Sequence, residues 1–452
     1  MNSFGKIIHH KSESRILIYT GLILLLTSLI TQYPFHSTEF NKLNDAESYK
    51  IASDWLYSSD HFASFTRPFL FPLLIGLPHL LGFEYNESFV NAMNLVFWFW
   101  TVLLLYRVIK DISDEKKAFR TTIAFESCVS LHCFLFSVHT EIIYSFVLLS
   151  HVFCLYQYLK TRKEGWFYGA IWLLGASIVI RPTLTYIVFI LYWIIVVTVI
   201  LGKIPLKKLV FISLIFLSTI GVQMLNMYRC SNRFKISYIG DTAWYLYMGA
   251  YAINIKSYPN QTLHFYALQW EKEVDLRMKS YFSIGRSHNT SDVEHLTGVE
   301  NLIKTDITNQ LKENKYGLTI TFFRSLVINS RSGTQYAFDT KNDFNLPYFG
   351  TIQRLFFKIS QVQNLINSSL VLLILPVLLI KRYKKQRNSL DSNLGLAIYS
   401  WFLAFSIMMF STIAFTQGDR FHVITVPLTL FALALLLFKK NISLSTVLKD
   451  KT

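Results

Sequence analysis

Five side chains have the types and settings to carry chemistry: Asp45, Arg67, Glu141, Arg181 and Arg420. Asp45 opens the stretch DAESY. A carboxylate facing a hydroxyl or amine can take its proton, and water-poor surroundings would raise its pKa toward a useful range. Residue type alone reads it first as a solvated acid at a helix N-terminus, where Asn44 can cap and the helix dipole favours negative charge. Glu47 forms a D-x-E pair with Asp45 that could hold a divalent cation through oxygen ligands, although any acidic helix start produces this pattern. Tyr49 and His61, in the same stretch, are candidate acceptor or metal contacts, and His422 is a weaker candidate. Glu141, in VHTEIIYSF, is an acid at a hairpin tip that either serves a site or, like Thr140, caps a helix. The three arginines offer planar, permanently charged forks that match phosphate oxygens. Their competing roles are snorkelling at helix ends and pairing with phospholipid headgroups.

Apolar runs must position these residues. They read at roughly 16–32, 89–109, 121–138, 142–159, 166–180, 183–201, 208–227, 366–380, 394–415 and 421–438, about ten crossings of a bilayer. The third run is weakened by Glu126 and His132, and Glu126 is expected to pair with Arg120 or a neighbour. Basic clusters at Lys6/Lys11/Arg15, Lys110–Arg120, Lys160–Lys163, Lys203–Lys208, Lys381–Arg387 and Lys439/Lys440 each follow an even number of runs. One orientation therefore places every cluster in the cytoplasm. The same alternation sends Asp45, Glu47, Arg67, Glu141, Arg181 and Arg420 to the opposite face. There, three guanidiniums would suit the phosphate of a lipid carrier whose tail stays in the bilayer. The segment RPFLFPLL after Arg67 is too short and Pro-broken to span, and reads as a helix lying along or dipping into the membrane surface.

Composition agrees with a polytopic, all-α membrane protein: 52% of the 452 residues are hydrophobic and 16% aromatic. The net charge of +16 lies in short clusters between apolar runs rather than in a basic stripe interleaved with aromatics, which argues against a nucleic-acid partner. Cys128, Cys133, Cys154 and Cys230 show no zinc spacing and no disulfide framework. The first apolar run follows Lys6, Lys11 and Arg15 without a small-residue cleavage site, so it reads as a signal anchor and first span. The polar interval from about Tyr228 to Ile366, with an amphipathic stretch at Leu318–Ile328, is too long for a bare connection and suggests a small external domain or an arm over the site. Asn86, Asn260 and Asn289 begin glycosylation-type triplets on that face. No internal repeat of the transporter kind is seen.

DAESY followed by RPFLFPLL resembles the first external loop of the GT-C superfamily of membrane glycosyltransferases, on the branch of protein O-mannosyltransferases and bacterial aminoarabinose–lipid A transferases. TEIIYSF, IRPTL and GDRFHVITVP agree in order and membrane face, over residues 1–201 and more loosely 394–438. The resemblance implies a GT-C-like bundle with an amphipathic first external loop and a larger external insert. It implies a transferase using a polyprenyl-phosphate-linked sugar at the external face, in the setting of a bacterial inner (plasma) membrane with both termini cytoplasmic. Asp45 would be the base toward the acceptor, Glu141 would orient the acceptor or a metal, and Arg67, Arg181 and Arg420 would hold the donor phosphate. The chain then divides into a transmembrane module at 1–227 with a catalytic loop at 34–88, an external insert at 228–365, and C-terminal helices with a tail at 366–452. The long polar insert before the last three spans, and the expected lack of the large C-terminal soluble domain usual in the aminoarabinose branch, leave the acceptor (lipid, glycan or protein) open. A divalent-cation requirement stays open because it differs between branches of the superfamily. Two rivals remain: a glycan polymerase or ligase sharing the lipid-linked donor, and a transporter or flippase that moves such a precursor without forming a bond.

Overall fold

A computed structural model describes residues 11–32, 45–58, 61, 64, 65, 67–200, 205–239, 308, 311, 312, 315–334, 338, 341–386, 391–413 and 419–438. These residues form helices, with no strand among them. Helix α1 (Lys11–Thr31) is followed by α2 (Asp45–Tyr57), the short α3 (Leu70–Ile75) and a 3-10 turn, Leu77–Leu81. Then come α4 (Glu87–Ile112), α5 (Glu115–Glu126), α6 (Val129–Leu135), α7 (Glu141–Thr161), α8 (Glu164–Ile180), α9 (Thr185–Ile200) and α10 (Leu206–Ser231). After the interval come α11 (Lys315–Arg331), α12 (Phe349–Ser369), a π-helical turn at Leu370–Ile374, and α13 (Leu375–Lys385). The chain closes with α14 (Ser392–Ser411), the single-turn α15 (Arg420–Val423) and α16 (Val426–Leu437).

Among the described residues six helices are long and apolar enough to cross a membrane, and a bent pair, Glu164–Ile180 with Pro182–Leu191, makes seven. The sequence suggests about ten, and the shortfall has local causes. The run 121–138 is interrupted at Ser127 and Cys128, between α5 and α6. Arg181–Pro182 bends the chain by 109° between α8 and α9, because proline cannot continue the preceding hydrogen-bond ladder. The last run is divided into α15 and a 12-residue α16. The span expected from 366 begins at Phe349 and continues to Lys385. The stretch Leu318–Ile328 is the middle of helix α11, whereas SYPNQT, Asn260, Asn289 and most of the expected insert lie outside the described residues.

Ion pairs fix which helix ends meet. Glu13 at the start of α1 receives Nε and Nη2 of Arg107 from the end of α4, at 2.9 and 2.8 Å. Asp111 pairs with Lys160 at the end of α7, and Glu164 at the start of α8 pairs with Lys208 near the start of α10. Lys117 of α5 lies over the Phe438 ring just after α16, and Arg382 of α13 donates to the Leu436 carbonyl. Arg107, Lys117, Lys160, Lys208 and Arg382 thus share one end of the bundle. Glu141 begins α7 and Lys160 is nearly its last residue, a separation of roughly 28 Å at 1.5 Å per residue, close to a hydrocarbon thickness. Apolar side chains of α1 and α10 (Leu22, Leu25, Leu26, Val210, Leu214 and Leu217 among them) remain exposed, as lipid-facing surface requires.

At the Glu141 end, α2 and α3 lie as a pair. Gly76 permits their close approach: a Cβ there would come within 2.2 Å of Ser53 Oγ and 2.4 Å of the Tyr57 ring. Tyr57 donates to the Leu73 carbonyl at 2.7 Å and stacks on His79. Leu80, Leu81 and Phe83 are exposed beside this pair, an apolar edge that suits a surface-dipping segment.

Candidate active site

Asp45 is the first residue of α2, and its two oxygens go to different arginines. Oδ1 pairs with Nη2 of Arg67, and Oδ2 receives Nη1 of Arg420 at 2.6 Å. The Nε of Arg420 pairs with Glu141 Oε1, which also accepts from Nη1 of Arg181 at 3.0 Å. The result is one alternating chain, Arg67–Asp45–Arg420–Glu141–Arg181, assembled from four separate stretches of sequence. Three guanidiniums face two carboxylates, so the cluster carries a surplus positive charge and favours an anion.

Local sequence explains each placement. Arg67 also donates from Nε to Ser48 Oγ at 2.9 Å and lies over the Tyr49 ring, 4.6 Å from its centroid. Tyr49 in turn stands edge-on to Phe71 of α3. Arg181 is the residue at which Pro182 stops α8, and its guanidinium lies 4.1 Å from the Phe421 ring centroid. Asn94 of α4 donates to the carbonyls of Phe134, Leu135 and Ser137, closing the end of α6 and setting the turn into Glu141. Asp419 accepts from Ser130 of α6, which ties the turn bearing Arg420 to the broken span.

Exposure separates the two acids. The Glu141 side chain is fully buried, whereas that of Asp45 is 28% exposed and is the one an incoming group can reach. Glu141 is therefore not a solvated cap. The Thr140 hydroxyl makes no cap hydrogen bond either. Burial would raise the Asp45 pKa, but Arg67 and Arg420 outweigh it and hold the carboxyl well below the usual carboxylate range. The rise expected from water-poor surroundings is reversed because both arginines reach it. Burial pushes the nearby His139 imidazole down to about 4, so it is neutral at pH 7. Burial pushes Asp419 up to about 7.

Glu47 does not join the cluster. Positions two apart on a helix point to different faces, and Glu47 is exposed, so the D-x-E pair does not converge. His61 is also exposed; its ring sits 3.4 Å from the Leu56 carbonyl, and its own carbonyl accepts from Asn226. His422 is a core histidine bonded to Ser368 and Ser411. Glu126 accepts from Thr20 of α1 at 2.5 Å rather than pairing with Arg120. Asn44 lies outside the described residues, while Asn86 caps α4. None of the four cysteines is in a disulfide, and no group of three or more His, Cys, Asp or Glu is placed to hold a metal ion among the described residues. Ser48 and Phe421 lie inside the motifs DAESY and GDRFHVITVP without being singled out there, and Ser130 lies in none; each supports a charge only through tertiary contact.

Residues 66–222 match the family model of dolichyl-phosphate-mannose-protein mannosyltransferases, a stretch that includes Arg67, Glu141 and Arg181. Two crystal structures of ArnT from Cupriavidus metallidurans align with 92% of this chain and 77% of that one, at a TM-score of 0.36 in each case. One is bound to undecaprenyl phosphate and the other is apo, with 11% and 10% sequence identity respectively. Comparison with curated proteins gives no match. The chain is an integral, multi-pass membrane protein.

Proposed function

We propose that this protein is a glycosyltransferase that moves a sugar from a polyprenyl-phosphate-linked donor to an acceptor hydroxyl or amine at the external face of the membrane. The acceptor is a lipid, a glycan or a protein. The observation that carries this reading is the Arg67–Asp45–Arg420–Glu141–Arg181 network: a reachable carboxylate beside a surplus of guanidinium, about one membrane thickness from the basic ends of the helices. The positive-inside rule sends those basic ends to the cytoplasm and the network outside.

The chemistry is a direct displacement at the anomeric carbon. Asp45 accepts the acceptor's proton, the new bond to the anomeric carbon forms, and the bond to the phosphate oxygen breaks. Lipid phosphate leaves with one more negative charge than it had as a diester. A unit of charge about 4 Å from a guanidinium is worth about 4 kcal/mol at an effective dielectric constant near 20. The arginines therefore bind the departing phosphate more tightly than the donor, and this difference is what lowers a barrier. In the structure both Asp45 oxygens are occupied by arginines. A donor phosphate competes for Arg67 and Arg420, which releases the carboxylate and raises its basicity in the complex where it is needed.

The test is transfer by the purified full chain in proteoliposomes, from a labelled polyprenyl-phosphate sugar to extracted envelope acceptors, with products identified by mass. Asp45→Asn should abolish transfer while leaving membrane insertion intact. Wild-type transfer by that variant would remove Asp45 from the mechanism. Cysteine labelling that places the start of α7 on the cytoplasmic side would overturn the external assignment.

A further inference from the structure

Helices α11 and α12 each bury small polar side chains while exposing large apolar ones. On α11, Thr321, Ser325, Asn329 and Ser330 are buried while Tyr316, Phe323 and Val327 are exposed. On α12, Ser360, Asn364, Asn367 and Ser368 are buried while Leu355, Val362 and Ile366 are exposed. Lipid-facing helices associate through such small polar side chains. Here their targets are specific. Ser325 donates to the Thr412 carbonyl at 2.6 Å and Asn329 to that of Ser411 at 3.2 Å, at the end of α14. Asn364 donates to the carbonyls of Asn329 and Ser332, joining α12 to α11. One turn further on, Asn367 donates to the His422 carbonyl at 2.9 Å and to Thr425 Oγ1 at 3.0 Å.

His422 completes the column. Its Nδ1 lies 2.8 Å from Ser368 Oγ and its Nε2 3.2 Å from Ser411 Oγ, so both ring nitrogens are bonded at a fully buried site. Helix α15, which bears Arg420, is a single turn and too short to hold itself. It is pinned by Ser130 through Asp419 on one side and by Asn367, Ser368 and Ser411 on the other. The π-helical turn begins at Leu370, two residues after Ser368. Such turns re-aim the side chains beside them and gather at functional sites.

We infer that Asn367 and His422 are positioning residues for Arg420: they set where its guanidinium stands, and through it the affinity for the donor phosphate. Their own hydrogen bonds go to the turn and its neighbours. This inference rests on the assignment of Arg420 to the donor.

The experiment uses the full chain in nanodiscs, with a polyprenyl phosphate as binding probe and donor KM and kcat measured in parallel. Asn367→Ala and His422→Ala should each weaken probe binding and raise donor KM about tenfold, the size of a lost oriented hydrogen bond. Their kcat at saturating donor should fall as well, by less than in Arg420→Lys, because the displaced guanidinium is also the one that meets the departing phosphate. His422→Asn, which keeps a polar atom at the Nδ1 position, should recover most of the affinity. Ser368→Ala removes one hydroxyl only and gives a smaller shift of the same sign should the larger changes fail to fold. Unchanged probe affinity in a folded variant, or a loss confined to kcat, overturns the inference. Arg420→Ala separates it from its parent. If that variant binds the probe normally, the donor assignment itself fails; if it loses the probe while Asn367→Ala and Ser368→Ala do not, only the positioning role falls.

Discussion

Arg420 donates from Nη1 to Asp45 and from Nε to Glu141, so one guanidinium joins the acid of the first connection to the acid at the tip of a later hairpin, across 375 and 279 residues of sequence. A lysine has one charged nitrogen and cannot serve two acids along two edges of a fork. Arg420→Lys is therefore expected to lower kcat by about 10²–10³, the usual cost of losing an aligned donor at a developing anion. Steady-state kinetics with saturating donor measure it, and a lysine variant with near-normal kcat would show that charge alone suffices.

The occupied state of Asp45 leads to a chemical prediction. Carbodiimides react with protonated carboxyls, and the arginines keep Asp45 ionised when no donor is present. Labelling of the Asp45 peptide, followed by mass spectrometry at pH 6, should be near background in the free protein. It should rise in Arg67→Ala and Arg420→Ala, where the depressing charges are removed. Equal labelling in all three proteins would mean that the arginines do not hold this carboxyl.

How much of this was legible beforehand follows from the physics of each residue. The alternation of basic clusters along apolar runs groups Asp45, Arg67, Glu141, Arg181 and Arg420 on one expected face, and these five side chains are found in one network. Breaks within runs were harder to see. Nothing in SCVSL states that α5 ends and α6 begins there, because hydropathy averages over a window longer than the break. Glu47 was misleading because D-x-E reads as a pair in one dimension and as two faces on a helix. Polar residues such as Asn367 were invisible for the opposite reason. A lone asparagine in an apolar run carries no sign of which carbonyl it will meet.

Glu141 tests the distinction between holding and touching. It is fully buried and shared by two arginines, so removing its charge leaves both guanidiniums short of a partner in a site poor in water. Breaking a buried pair on one side costs about 3–5 kcal/mol. Glu141→Gln should lower the thermal midpoint in detergent clearly, whereas Asp45→Asn, at a more exposed position, should lower it less. The reverse order, from melts of both variants in one buffer, would argue that Glu141 is not the anchor of the network.

Asp419 gives the protein a pH dependence with a definite sign. Burial raises its pKa to about 7, with Ser130 and Arg420 opposing. A group whose folded pKa lies above its unfolded value binds more protons in the native state, so its contribution to stability is greatest below about 4 and falls as pH rises through 7. Above pH 7 the ionised carboxylate also stands next in sequence to Arg420 and offsets part of the charge offered to phosphate. Two profiles should follow: a melting temperature that falls between about pH 4 and 7 and levels off above, and an affinity for a polyprenyl phosphate that gains less between pH 6 and 8 than it does in Asp419→Asn. Asp419→Asn removes the titration but keeps an acceptor for the Ser130 hydroxyl, so the melting profile should flatten in that variant. A wild-type melting profile that survives the substitution would assign that pH dependence to another group, and because the probe's own phosphate gains charge near pH 6, equal affinity profiles in the wild type and Asp419→Asn would contradict the electrostatic role given to Asp419.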